Sequence, residues 1–94
     1  MTTRQPTTAT LTNVASSASS VSLFAANSQA RVRTIWNDST QVLYVKYGTT
    51  ASSTSYTVQL AAGAYYEFPQ PTYGGAVDGI WASANGNARL TEVT

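Results

Sequence analysis

Ala30-Arg31-Val32-Arg33-Thr34-Ile35-Trp36-Asn37-Asp38-Ser39-Thr40-Gln41-Val42-Leu43-Tyr44-Val45-Lys46-Tyr47-Gly48 is the stretch that decides the fold class of this chain. It is dense in β-branched and aromatic residues, the types that suit a pleated, half-buried surface. Its apolar residues follow the period of two that marks a strand, with no sustained helical period. From Ala30 to Trp36, Val32 and Trp36 alternate against Arg31, Arg33 and Ile35. From Gln41 to Tyr47, Leu43, Val45 and Tyr47 share one face and Val42, Tyr44 and Lys46 the other. Asn37-Asp38-Ser39-Thr40 between them has turn composition, and Gly48 closes the second strand.

The same grammar continues toward the C-terminus. Thr54 to Leu60 carries Tyr56, Val58 and Leu60 on one side, and Gly63 to Phe68 carries Tyr66 and Phe68. The short link Ala61-Ala62-Gly63 makes that pair read as a hairpin. Pro69-Gln70-Pro71-Thr72-Tyr73-Gly74-Gly75 is a loop, because its prolines remove ladder donors. Ala76 to Ala82 resumes the strand pattern with Val77 and Trp81. Asn85-Gly86 then gives a hairpin signal before a closing strand over Ala88 to Val93.

Toward the N-terminus the composition shifts near residue 30 from Ser, Thr, Ala and Asn to the β-rich body. Residues 1–29 therefore read as an extended arm and 30–94 as an antiparallel β body. Within the arm, Thr10 to Val14 and Ser20 to Phe24 alternate well enough to serve as two edge strands, or to order only against a neighbour. The first nine residues are expected to be mobile in isolation. Six strands in the body and up to two in the arm predict an all-β domain, a small antiparallel β-sandwich or a β-barrel with jelly-roll-like character.

Ninety-four residues with no cysteine and no histidine leave few sources of extra stability except assembly with other chains. The same absences remove the commonest general base and the usual transition-metal ligands, so no enzyme activity, metal or cofactor is expected. Charge is sparse, with five basic and four acidic residues and a formal net charge of +1. That lacks the basic stripe of a nucleic-acid binder and the Lys/Arg face of a membrane-surface helix. Met1 to Pro6 runs into Thr and Ser and does not resemble a signal peptide, which points to a protein made and held in a cytoplasm.

The many Ser and Thr residues have no activating His beside them. Glu67 and Asp78 are the best carboxylate pair for glycoside chemistry, with surface charge that discourages edge pairing as the simpler role. The aromatics offer a sugar-stacking platform, but a small body must first fill its interior, and Trp36, Tyr56, Phe68 and Trp81 are assigned to the core. In Tyr65-Tyr66 one ring must face outward, as an interface anchor. Asn37-Asp38-Ser39 matches an N-glycosylation pattern but is equally a turn and carries no functional weight.

Five segments carry a resemblance: Arg33 to Ser39, Leu43 to Gly48, Tyr56 to Leu60, Gly63 to Glu67 and Tyr73 to Trp81. In their order the chain from Arg31 onward resembles small β-rich virion proteins of tailed bacteriophages, the capsid decoration, cement or head-associated proteins. The resemblance implies a homo-oligomer, such as a trimer, bound to major capsid protein on the outer capsid surface after synthesis in the host bacterial cytoplasm. Candidate interface residues are Tyr44, Tyr65, Tyr73, Arg31, Arg33, Leu23 and Phe24. Alternatives are a tail, neck or baseplate component, and an adhesin module that binds host-surface glycans.

Overall fold

The computed structural model describes residues 5–94. Eight strands form: β1 Ala9–Ala15, β2 Val21–Phe24, β3 Val32–Asp38, β4 Leu43–Tyr47, β5 Val58–Leu60, β6 Tyr65–Glu67, β7 Val77–Trp81 and β8 Asn87–Val93. They make two four-stranded antiparallel sheets, ordered β1-β8-β3-β6 and β2-β7-β4-β5. The pairs nest, β4 with β5, β3 with β6, β2 with β7 and β1 with β8, as in one long hairpin rolled onto itself. This is the order of an eight-stranded jelly roll. The sheets stay open, so the domain is a sandwich and not a closed barrel. Both arm strands belong to it, each as the edge of one sheet.

Rolling explains two corrections to the expected hairpins. β5 and β6 lie in different sheets, so residues 61–64 carry the chain across the sandwich and do not turn a hairpin. Asn85-Gly86 does the same between β7 and β8. Gly86 has a φ of 75° and sits against the Asp38 carbonyl, where a Cβ has no room. Of the segment expected to be mobile, residues 1–4 lie outside the described residues. Thr7 and Thr8 donate their backbone N–H groups to the Thr94 carbonyl and so extend the β1–β8 ladder.

The core is a continuous apolar layer between the sheets, with Ile35, Leu43, Val45, Val77 and Trp81 at its centre. Gly79 lets Leu23 and Leu43 close over β7; a Cβ there would stand 2.7 Å from Leu23 Cδ1. Phe68 and Trp81 are buried as expected, whereas Trp36 and Tyr56 are exposed.

Trp36 is outside because β3 presents its other face inward, placing Arg33, Ile35 and Asn37 in the interior. Buried polar groups persist only when hydrogen-bonded, and both of these are. Arg33 Nε donates to Glu92 Oε2 at 2.8 Å, and its terminal nitrogens donate to the carbonyls of Ala25, Tyr73 and Gly75. Its guanidinium also lies 4.8 Å from the Phe24 ring centre. Asn37 Nδ2 donates to the carbonyls of Gln41, Leu60 and Ala61, while its Oδ1 accepts from Trp81 Nε1 and Ser39 Oγ. Asn37 thus pins the 61–64 crossing from inside.

Candidate functional site

Among the described residues there is neither a pocket nor a cluster of acidic side chains that could hold a metal ion. The features that stand out are on the two outer faces of the sandwich. Glu67 and Asp78, the pair considered for glycoside chemistry, are not brought together. Glu67 is on β6, on the outer face of one sheet, and Asp78 is on β7, on the outer face of the other.

On the β2-β7-β4-β5 sheet the outer face is covered by the chain's own segment 48–57. Thr50 N–H donates to Asp78 Oδ2 at 2.8 Å, Ala51 N–H donates to Ser20 Oγ, and Ala51 is buried. Lys46 Nζ reaches the Thr50 carbonyl and Ser55 Oγ. Tyr56, in the same segment, packs its ring 5.0 Å from that of Tyr44. Gly48 and Thr50 both have positive φ, and at 62° Thr50 is a β-branched residue in the left-handed region, a strained choice that the Asp78 contact holds.

Among the described residues the β1-β8-β3-β6 sheet has no such cover. Its registers place Asn13, Arg89, Trp36 and Tyr65 in one row across all four strands, and Leu11, Thr91, Thr34 and Glu67 in the next. Three of the four exposed large apolar residues among those described are here: Leu11 at 75 %, Tyr65 at 63 % and Trp36 at 45 %. Trp36 Nε1 donates to the Gly63 carbonyl, which fixes the indole, and Tyr65 is its cross-strand partner on β6. Arg89 and Asp38 form an exposed ion pair at 2.8 Å on the same face. Isolated exposed apolar residues are ordinary, but a group of them on one sheet face is a candidate binding surface.

The seven residues proposed from sequence divide accordingly. Tyr65 lies on the bare face. Tyr44 is on the opposite, covered face. Tyr73 stacks on Tyr47 at 4.7 Å in an aromatic cluster that includes Phe68 and Tyr66, so the tyrosines do not form one sugar platform. Arg31 is half-buried, its carbonyl accepting from Gln70 Nε2 and Thr72 Oγ1 while its Nε is buried without a partner. Arg33, Leu23 and Phe24 are interior and hold the domain together, which removes them from any surface. Trp36 and Leu11 are the surface residues that sequence reasoning missed. No signal in the sequence pointed to them: Arg33 turns inward, and Trp36 outward, because the β3–β8 register sets Arg33 opposite Glu92.

Tyr47 is held well above the ordinary tyrosine range, first by burial and then by the 2.9 Å hydrogen bond between its hydroxyl and that of Tyr66. It belongs to the core cluster. No protein-family model, no curated protein and no solved structure matches the chain.

Proposed function

We propose that this chain is a structural protein of a tailed-bacteriophage virion, a capsid decoration or cement protein that self-associates and binds the outer surface of the assembled capsid. The observation that carries this proposal is the bare outer face of the β1-β8-β3-β6 sheet, with Leu11, Trp36 and Tyr65 exposed on it. A sheet face with aromatic anchors, on which Arg89 is already paired with Asp38, suits a protein partner, since interface cores are enriched in aromatics. The resemblance of the segments from Arg33 to Trp81 to phage head proteins supplies the particular partner, major capsid protein. Jelly rolls occur among viral capsid and lectin domains, which agrees with the proposal at the level of analogy.

The physical mechanism is linkage and avidity. A protein that binds only the assembled shell stabilises that shell by mass action. Many equivalent copies on one lattice turn a modest single contact into durable decoration. The test is co-sedimentation with purified capsids: wild-type protein pellets with the particles and raises their resistance to heat, and Trp36→Ser with Tyr65→Ser stays in the supernatant. Wild-type protein that never pellets with capsids overturns the proposal, and binding to tail assemblies instead moves it to a tail, neck or baseplate role.

A second proposal rests on the same two rings. Trp36 and Tyr65, cross-strand partners exposed on one face, could stack on a sugar, as in an adhesin module. A glycan-array signal lost in Tyr65→Ala, with no capsid binding, favours it.

A further inference from the structure

The outer edge of β1 is the longest free sheet edge among the described residues, seven residues against three in β5 and β6 and four in β2. It has none of the devices that keep an edge strand from pairing with another chain, neither charge, proline nor bulge. Six of its seven residues are exposed, including Thr10 and Thr12 on the inner side, and only Val14 packs against the core, so the opposing sheet does not extend beneath the first five residues of β1. Among the described residues, none covers this edge from either face.

The ladder fixes which backbone groups are free. Thr8 and Thr94 exchange both hydrogen bonds, and Ser16 N–H donates to the Gly86 carbonyl, so even-numbered residues of β1 bond to β8. Backbone groups alternate sides along a strand, so Ala9, Leu11, Asn13 and Ala15 direct their N–H and C=O groups outward.

We propose that this edge pairs antiparallel with β1 of a second copy of this chain, about a two-fold axis at Thr12, to give a continuous eight-stranded sheet. The sequence Ala9-Thr10-Leu11-Thr12-Asn13-Val14-Ala15 is close to a palindrome in shape. About Thr12 it sets Ala9 against Ala15, Thr10 against the isosteric Val14, Leu11 against the similarly sized Asn13, and Thr12 against itself. The hydrogen-bonding phase agrees: every outward-facing residue meets another outward-facing residue, so four pairs exchange about eight hydrogen bonds. A two-fold partner brings each charge opposite its own kind, and β1 has no charge to repel. The pairing also sets two bare outer faces side by side in one plane. It stands on edge geometry and not on the virion role, and a cyclic trimer, which needs a head-to-tail contact, is incompatible with it.

The chain has no cysteine, so a single introduced thiol is a clean reporter. In this register Thr12 faces Thr12 of the partner across a non-hydrogen-bonded pair, where Cβ atoms lie about 4.5–5.5 Å apart. With oxidised glutathione, Thr12→Cys should cross-link to a covalent dimer faster than Leu11→Cys, whose partner position is Asn13. Sedimentation of wild-type protein should give the dimer mass. Asn13→Pro removes an outward N–H that β1–β8 pairing does not use, and Thr12→Lys sets two ammonium groups opposite each other; both should sediment as monomers with unchanged circular dichroism. A monomeric or trimeric wild type, a dimer that survives both substitutions, or slower cross-linking at Thr12 than at Leu11 overturns the pairing. These readouts use the protein alone, so a monomer that still pellets with capsids ends this inference and leaves the decoration role, while a dimer that ignores capsids does the reverse.

Discussion

The two outer faces of the sandwich are built from similar strands and treated differently. On the β2-β7-β4-β5 sheet the segment 48–57 folds back over Tyr44 and Asp78, held by Thr50, Ala51 and Tyr56. On the β1-β8-β3-β6 sheet Leu11, Trp36 and Tyr65 stand open to solvent. Both have aromatic residues, so composition does not distinguish them. What distinguishes them is whether the described residues supply a cover, and the face that they leave open is where a partner's surface has most to gain.

The largest predicted effect removes both faces together. Arg33→Leu leaves the Glu92 carboxylate and the carbonyls of Ala25, Tyr73 and Gly75 without their donor inside the sandwich. Breaking one side of a buried charged network costs about 3–5 kcal/mol, enough to unfold a domain of this size, and a urea titration should show it. Tyr44→Ser comes next: it deletes the ring against which Tyr56 packs, and should lower stability by about 1–2 kcal/mol while leaving capsid binding intact. Thr50→Gly relieves the left-handed strain in the covering segment, and should raise stability by about 0.5–1 kcal/mol after the entropy of glycine is offset. Tyr65→Ser is the mirror of Tyr44→Ser, within about 0.5 kcal/mol of wild type in stability but defective in binding.

The last effect shows only in alkali. Below the ordinary tyrosine range Tyr47 is neutral in both folded and unfolded chains and contributes no pH dependence. As pH rises through that range the unfolded chain ionises while the folded one resists, so stability falls with pH until the raised folded value is passed. Thermal melts across alkaline pH should show this slope in wild type and a flatter one in Tyr47→Phe.

Much of the fold was legible from alternation. Leu43, Val45 and Tyr47 do share the inward face, Val77 and Trp81 do point into the core, and both arm segments do form edge strands. The orientation of β3 was not legible, because Val32 and Trp36 are more hydrophobic than Arg33 and Asn37. The polar pair is interior because carbonyls from several other segments, those of Tyr73 and Gly75 for Arg33 and of Leu60 and Ala61 for Asn37 among them, converge on it. Hairpins failed for a related reason: a turn signal fixes a reversal of the chain, not the sheet that receives the next strand. Tyr65 was recoverable from the adjacent Tyr65-Tyr66 pair, whereas Leu11 gained meaning only once its register set it on the same outer face as Trp36 and Tyr65.

Hydroxyl-radical footprinting of the protein free and bound to purified capsids addresses both faces at once, since each has exposed aromatic side chains. Trp36 and Tyr65 should become protected on binding while Tyr44 and Tyr56 keep their free reactivity. Protection of Tyr56 with Trp36 and Tyr65 unchanged would place the partner on the covered face and contradict the account.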